Sequence, residues 1–134
     1  MVIEIVDNEF KYHDFIRTLR NDPRVQNGFI ERADVSIDQQ KSYMAKYGDK
    51  YIVALFDKEP AGYAGSIDND IRVCVHPDFH KRGVGEALIL NLMKRLPESY
   101  AKVKVENKAS KALFEKCGFR EKYLLMEKDE TPPI

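Results

Sequence analysis

The stretch that decides the fold reads IRVCVHPDFHKRGVGEALILNLMKRL and spans residues 71–96. Residues 71–75 have the β-branched composition typical of a strand, and the His76-Pro77 pair ends that pattern. A basic turn with two glycines follows, and the segment after it predicts an amphipathic helix from Glu86 onward. The order is therefore strand, tight turn, helix.

The helix prediction rests on the spacing of its apolar residues. Five of them recur at the positions of one buried helix face, namely Leu88, Ile89, Leu92, Met93 and Leu96. Pro97 ends the pattern. The first backbone N–H groups of such a helix have no partner inside it, and the helix dipole makes this end attractive to anions.

The two glycines of the turn favour an anion site. Gly83 and Gly85 lack a β-carbon, so the backbone can come within hydrogen-bonding distance of a phosphate. No Lys-Ser/Thr follows them, which excludes a P-loop, and Leu88 stands where the dinucleotide fingerprint needs a third glycine. A plain glycine turn with two solvated cations is the alternative reading.

At these residues the sequence resembles the GNAT superfamily of acyl-CoA-dependent N-acyltransferases, whose signature is Gln/Arg-x-x-Gly-x-Gly/Ala. The signature appears as residues 80–85, HKRGVG, with His80 in place of the usual Gln or Arg. A second block, VKVENKASKALFEKCGF at 103–119, resembles the family's fifth strand, an Asn and a short helix ending in Gly-Phe. The order and separation of the two blocks make the resemblance more specific than either motif alone.

The resemblance implies the fold of one GNAT-like N-acetyltransferase domain over residues 1–134. We expect an α/β (α+β) architecture with a mixed, mostly antiparallel sheet of about six to seven strands and helices on both faces. Residues 102–106 are the predicted fifth strand, parallel to the fourth, and 123–128 are a last strand. In the family, the acyl-CoA arm lies where strands four and five splay apart.

Turn and cap signals predict the rest of the architecture. The tetrapeptide 57–60 (DKEP) and the tripeptide 68–70 (DND) predict reversals that make strands two, three and four an antiparallel meander. Ser36 and Gln39 form a capping box that opens a helix. Gly62 and Gly65 in strand three predict a thin surface suited to a bulge, to close approach by a ligand, or simply to a twisted strand.

The resemblance also implies a coenzyme site for acetyl-CoA as co-substrate, without a metal. Backbone groups of strand four would bind the carbonyl and the pantetheine arm, and the basic turn would hold the pyrophosphate. The residues implied are Val73, Cys74, Val75, His80, Lys81, Arg82, Gly83, Val84, Gly85, Glu86, Asn107, Ser110 and Phe114. Helix capping explains Asn107 equally well.

Phe114 departs from the family pattern. Many members place a Tyr there as the general acid for the leaving thiolate, and Phe cannot donate a proton. General acids contribute about 10²–10⁴-fold, so its absence should slow turnover without abolishing it. Tyr63, Tyr100 or water are the substitutes that we consider.

Asp70 and Glu31 are the candidate bases. Asp70 opens strand four, and Glu31 ends a long N-terminal loop that lines the acceptor pocket in the family. Each carboxylate alone is equally explained as a solvated turn residue. Cys74 is disfavoured as an acyl-carrying nucleophile because the sequence supplies no activating base for it.

We therefore expect an N-acetyltransferase that acts on a primary amine, either a small molecule or an amino-sugar nucleotide. Arg24 and Arg32 in the N-terminal loop would suit an anionic acceptor. The alternatives are a catalytically weak acyl-CoA-binding or regulatory module and a protein N-terminal acetyltransferase.

The composition limits the classes of binding partner and the cellular compartment that we expect for this protein. Acidic and basic residues balance at 22 each, so no net field recruits nucleic acid or a membrane. The 2 cysteines are not clustered, which favours reduced thiols over a disulfide framework or a metal site. Without a targeting or membrane-spanning pattern, we expect a cytoplasmic monomer or homodimer.

Overall fold

A computed structural model describes residues 2–30 and 34–129 of the chain. Strands and helices follow one another in the order β1 (Ile3–Asp7), α1 (Phe10–Asn21), α2 (Pro23–Gln26), α3 (Ile37–Tyr47), β2 (Tyr51–Phe56), β3 (Glu59–Ile67), β4 (Asp70–Val75), α4 (Val84–Arg95) and α5 (Lys108–Lys116). Short 3-10 turns precede β2 and follow β4. Every pair of neighbouring strands in the order β1-β2-β3-β4 is antiparallel.

Two tight turns fold β2, β3 and β4 into the predicted meander. Asp57 and Lys58 have φ of 48° and 74°, and Asp68 and Asn69 have φ of 52° and 69°. Positive φ at both central residues is the mark of the hairpin turn whose twist matches that of the strands. Asp and Asn tolerate this conformation better than most residues, so the turn chemistry confirms both hairpins.

The prediction of six to seven strands is wrong, because within the described ranges the sheet has 4 strands. In the segment after α4, backbone pairing with β4 is confined to Tyr100, through a parallel bridge to Asp70 and a bond of 2.9 Å from the Ile71 N–H to the Tyr100 carbonyl. The predicted fifth strand, 102–106, then leaves the edge of β4 and is not a strand. An extended segment without a backbone partner cannot form a ladder.

The predicted last strand, 123–128, is also wrong. This segment has no regular secondary structure, and Tyr123, Leu124, Leu125 and Met126 are 78–85 % exposed. Four consecutive apolar residues do not alternate between a buried and a solvated face, so they lack the pattern that a half-buried strand needs.

Helices cover both faces of the sheet, as predicted. One core cluster joins sheet residues to α4 and α5 and includes Ile52, Ala64, Ile71, Leu88, Ile89, Leu92 and Phe114. The other joins the opposite face to α1 and α3 and includes Tyr12, Ile16, Leu19, Met44, Val53, Tyr63 and Cys74. Burial of these two sets of side chains supplies most of the stabilisation of a sheet with two covered faces.

The capping signals are confirmed. Ser36 precedes α3, where its hydroxyl accepts from the Gln39 N–H at 3.1 Å, and the Gln39 side chain accepts from the Ser36 N–H at 2.8 Å. Helix α4 begins at Val84, two residues earlier than predicted, so Gly85 lies inside its first turn.

Gly65 lets an aromatic ring lie flat on β3. Tyr51 is its partner in β2, and a β-carbon at Gly65 would lie 2.6 Å from the Tyr51 ring. Gly62 has a different role, since a β-carbon there would meet the Cys74 carbonyl oxygen at 2.7 Å and Leu88 of α4 at 3.2 Å. The register shift opposite Ala54 and Leu55 agrees with a bulge, one of the alternatives that these glycines left open.

We predict that Gly65→Ala destabilises the fold by about 1–3 kcal/mol, because the new methyl group overlaps the Tyr51 ring. Gly48→Ala is the matched control, since Gly48 has φ of −57° and its added β-carbon would meet nothing closer than 3.7 Å. Urea unfolding of both variants measures the difference. Equal stability of the two would contradict the packing role of Gly65.

Candidate functional site

The turn before α4 leaves its first backbone donors open. Gly83 has φ of 84° and ψ of 3°, a left-handed conformation that glycine adopts without cost. No side chain caps the helix at this position, and the first helical bond runs from the Ala87 N–H to the Gly83 carbonyl at 3.1 Å. The N–H groups of Val84, Gly85 and Glu86 thus have no acceptor within the helix. A β-carbon at Gly83 would meet only Ile3, at 3.8 Å, so this side of the turn is open.

The basic side chains of the turn have different surroundings. His80 Nε2 lies 2.9 Å from the Val75 carbonyl oxygen, and because a carbonyl can only accept, Nε2 is the donor. Arg82 lies over the Phe56 ring, with its guanidinium carbon 5.6 Å from the ring centroid. Lys81 is exposed and pairs with no carboxylate in the described part of the chain. His80 and Arg82 fix the turn, and Lys81 is left as its available cation.

Gly85 and Glu86 connect α4 to α5. Gly85 is buried, and a β-carbon there would lie 2.8 Å from the Leu113 side chain. Glu86 forms an ion pair of 2.9 Å with Lys116. Gly83 therefore has open space beside it, whereas Gly85 permits the close approach of α4 and α5.

The outer edge of β4 carries backbone groups that no fifth strand pairs. The Ile71 N–H points outward to Tyr100, whereas the His76 N–H points inward to the Ala61 carbonyl of β3. Because these directions alternate along an antiparallel strand, Val73 and Val75 direct their N–H and C=O groups outward and Cys74 directs its own toward β3. Val73 and Val75 therefore present backbone groups at the outer edge of β4, and Cys74 does not.

A cleft of about 190 Å³ lies beside this edge, between β4, the residues after α2, and α5. It brings together five of the residues predicted from sequence, which are Tyr63, Asp70, Val73, Ser110 and Phe114. Lys104 Nζ donates to the Asn27 carbonyl at 3.1 Å and joins the segment after Tyr100 to the loop above the cleft. Glu31, the other candidate base, lies outside the described residues.

Asn107 and Ser110 form the start of α5. The Asn107 Oδ1 accepts from the Ser110 N–H at 3.1 Å, which is the helix cap that the alternative reading predicted. The Asn107 amide nitrogen would be 3.1 Å from a β-carbon at Gly28. Asn107 therefore sets the spacing between α5 and the loop after α2.

Asp70 is held by two cations at the mouth of the cleft. Its carboxylate lies 3.4 Å from an Arg72 guanidinium nitrogen and 3.4 Å from Lys102 Nζ, with its side chain 15 % exposed. Both distances exceed the 2.7–2.9 Å or so typical of strong charge-assisted bonds. The carboxylate is loosely paired and lies within the cleft, which is a suitable place for a base that acts directly or through water.

Burial keeps the polar groups of Tyr63 and Cys74 protonated. Burial raises the pKa of the Tyr63 hydroxyl well above its ordinary value. Burial, reinforced by the charge of Asp22, raises the pKa of the Cys74 thiol to about 12, although a hydrogen bond with Tyr63 opposes the rise. At neutral pH, Tyr63 is a potential proton donor and Cys74 is an unreactive thiol.

Tyr100 and Arg24 take no part in the cleft. Tyr100 holds the start of β4 through its backbone, and its side chain is exposed. Arg24 donates to both Asp22 oxygens at 3.0 and 2.6 Å, and these bonds lower the pKa of Asp22 to about 2. The prediction that Arg24 is available for an anionic acceptor is not supported by this pairing, and Arg32 lies outside the described residues.

Sequence reasoning missed several residues that line the cleft, namely Arg20, Phe29, Tyr51, Arg72 and Lys102. Arg72 and Cys74 lie two residues apart on the same face of β4, and Tyr51 pairs with Gly65 across the hairpin. The two turns predict the register of the hairpins, and this register could have shown that Tyr51 and Arg72 lie on either side of Gly65.

Among residues 2–30 and 34–129, no three His, Cys, Asp or Glu side chains are grouped so that they could bind a metal ion. The helices in these same ranges are too short or too polar to span a bilayer.

The fold and the site define an α/β protein with an anion-binding turn at the end of a strand whose outer edge is open. Residues 13–119 match the family model described as Acetyltransferase (GNAT) family. The chain belongs to this family, which makes it an acetyltransferase, and acetyl-CoA is the co-substrate of such enzymes.

Solved structures show the same fold at low identity. The spermidine N-acetyltransferase from Vibrio cholerae, in complex with CoA and spermine, has a TM-score of 0.79 and 20% identity, covering 94% of this chain and 85% of that one. The aminoglycoside N-acetyltransferase AAC(6')-Iy, in complex with a bisubstrate analogue, has a TM-score of 0.70 and 15% identity, covering 98% and 100%. The ribosomal-protein alanine N-acetyltransferase from Escherichia coli has a TM-score of 0.66 and 20% identity, covering 91% and 80%. No curated protein matches the chain significantly.

We predict that Cys74→Ala retains acetyl transfer within about threefold, because a thiol with so high a pKa supplies almost no thiolate at neutral pH. Thiol release from acetyl-CoA measures the rate, and intact mass after incubation with acetyl-CoA reports any acetyl group on the protein. Loss of transfer in a folded Cys74→Ala protein, with an acetylated thiol in the parent chain, would contradict this prediction.

Proposed function

We propose that this protein transfers an acetyl group from acetyl-CoA to the primary amine of a small molecule, with amino-sugar nucleotides among the candidate acceptors. The observation that carries the proposal is the open start of α4 after the left-handed Gly83, at the end of β4, whose outer edge beyond Ile71 is paired by no strand among the described residues. A phosphate-bearing ligand that runs from this turn along β4 would reach the cleft beside Val73.

The residues present fit such a ligand. Three helix-start N–H groups and the Lys81 ammonium offer donors and positive charge for a pyrophosphate. The open space beside Gly83 lets that group approach the backbone. The outward groups of Val73 and the outward N–H of Val75, whose carbonyl already accepts from His80, would then bond the arm that carries the acetyl group, as a partner strand would.

Besides binding acetyl-CoA, the protein has two proton transfers to assist. Acetyl-CoA supplies an acyl group on a good leaving group, and the new carbon–nitrogen bond forms as the carbon–sulfur bond breaks. Asp70 would take the proton that the attacking amine loses, directly or through water, and Glu31 is the second candidate for that role. The Tyr63 hydroxyl, or water, would supply the proton that the departing sulfur gains, since Phe114 cannot.

The structural neighbours support an amine acceptor without selecting one. Their names specify a polyamine, an aminoglycoside and an alanine of a ribosomal protein. All three acceptors present a primary amine to the reaction. A panel that contains each class, together with amino-sugar nucleotides, is therefore the appropriate test.

The experiment is a thiol-release assay with acetyl-CoA and that panel, followed by mass analysis of the acceptor. We expect a mass increase of one acetyl group on at least one amine. If CoA binds tightly but every amine in the panel stays unmodified, the transfer function is wrong.

A catalytically weak acyl-CoA-binding or regulatory module is the second candidate. The observation that favours it is Phe114, which is buried, lines the cleft and packs on Phe119 with ring centroids 5.1 Å apart. A module of this kind would bind CoA without a rate of thiol release above the background. A protein N-terminal acetyltransferase is the remaining alternative, and acetylation of peptides but not of small amines would identify it.

We predict that Lys81→Gln weakens CoA binding about 3- to 10-fold, the effect expected from losing one charge-assisted bond at an exposed site. Lys94→Gln, an exposed lysine near the other end of α4, is the matched control and should leave affinity unchanged. Titration calorimetry at two salt concentrations measures both variants. Equal affinities for the two variants would place the pyrophosphate away from the turn.

We predict that Phe114→Tyr raises the single-turnover rate, because it restores a hydroxyl at the position from which many family members donate a proton. Phe114→Ala should instead destabilise the fold by about 3–5 kcal/mol, since the ring is part of the core. Rapid-quench kinetics and urea unfolding separate the two effects. A lower rate for a stable, CoA-binding Phe114→Tyr protein would show that the apolar ring shapes the pocket.

A further inference from the structure

One row of residues crosses three strands on the face of the sheet that α1 covers. Tyr51 of β2 pairs with Gly65 of β3, and Gly65 pairs with Arg72 of β4. Because Gly65 has no side chain, the Tyr51 ring occupies the space between β2 and β4. Tyr51 and Arg72 both line the cleft.

Among the described residues that line the cleft, positive charges outnumber negative charges. Its described lining includes the cations Arg20, Arg72 and Lys102 but a single carboxylate, Asp70. Arg72 and Lys102 share that carboxylate, each at 3.4 Å. One carboxylate can neutralise only one of the two, so the pair leaves a positive charge even before Arg20 is counted.

Arg20 has no carboxylate partner in the part of the chain that the structure describes. Its guanidinium carbon lies 5.5 Å from the centroid of the Tyr43 ring, and a guanidinium on an aromatic face still has N–H donors to offer. Tyr43 and Tyr51 share a hydroxyl–hydroxyl bond of 2.6 Å next to this group. Burial raises the pKa of Tyr51 strongly, and the charges of Arg20 and Arg72, which line the same cleft, both oppose that rise.

We propose that the acceptor of this enzyme is a small amine that also carries a carboxylate or a phosphate, and that Arg20 and Arg72 bind this acidic group. The inference rests on the proposed acetyl transfer and names the class of its acceptor. Lys102 contributes charge at the rim, where it is exposed and paired with Asp70. A guanidinium presents two parallel N–H donors to a carboxylate or phosphate, which gives orientation as well as attraction.

The size and the charge of the cleft select among amines. A volume of about 190 Å³ is below the 300–1,000 Å³ or so of typical drug-sized sites, which favours a small acidic amine over a whole sugar nucleotide. A polyamine or an aminoglycoside would bring further positive charges toward Arg20 and Arg72. The same cations favour the neutral form of the acceptor amine, which is the form that attacks the acetyl carbon.

The first experiment measures binding without reaction. Titration calorimetry on the full chain saturated with CoA compares butyrate with butanol and glucose 6-phosphate with glucose. We expect at least one anion to bind about tenfold tighter than its neutral counterpart, and Arg20→Gln and Arg72→Gln each to remove most of that difference. Arg120→Gln, an exposed arginine outside the cleft lining, is the control. The pair with the larger difference identifies a carboxylate or a phosphate as the acidic group.

The second experiment measures transfer to matched amines, namely γ-aminobutyrate against butylamine, glucosamine 6-phosphate against glucosamine, and spermidine. We expect a higher kcat/KM for the acidic member of one pair, with Arg72→Gln raising its KM more than it lowers kcat. Equal binding of anions and neutral analogues, or preferred transfer to spermidine, would overturn the inference while acetyl transfer stands. Tight anion binding with no amine acetylated would support the anion site and overturn the proposed function.

Discussion

The backbone bonds at Tyr100 determine where the sheet ends and where the cleft begins. The Tyr100 N–H donates to the Asn69 carbonyl at 2.7 Å, and its carbonyl accepts from the Ile71 N–H at 2.9 Å. A buried hydroxyl–hydroxyl bond of 2.7 Å between Ser66 and Ser99 holds the connection from α4 against β3. After Tyr100 the chain leaves β4. The space beside Val73 is therefore a cleft between β4 and α5, and no strand among the described residues fills it.

Local patterns predicted the elements that frame the site. The spacing of Leu88, Ile89 and Leu92 predicted the buried face of α4, and all three are buried. The capping residues Ser36 and Asn107 predicted the starts of α3 and α5, because a cap is a contact within a few residues. These features depend on chain segments short enough for the sequence alone to specify them.

The missing strands and the missed cations depend on contacts between distant segments. Residues 102–106 have strand-like composition, but a strand also needs a neighbour, and only Tyr100 reaches β4. Arg20 and Arg72 are more than 50 positions apart, and only the packing of α1 over the sheet brings them to one cleft. The glycines and the lysine of the turn could be recognised as a sequence motif. The different roles of Gly83 and Gly85 could not, because they depend on contacts with Ile3 and Leu113, which are distant in sequence.

The contact between His80 and the Val75 carbonyl also fixes a hydrogen position. Since the carbonyl can only accept, the neutral imidazole carries its hydrogen on Nε2 and leaves Nδ1 as the free acceptor. Nitrogen chemical shifts distinguish the two tautomers, so the His80 ring would report by NMR whether the turn is docked on β4. The residue that replaces the usual Gln or Arg of the signature thus supplies a spectroscopic probe of the loop that the protein would use to hold its coenzyme.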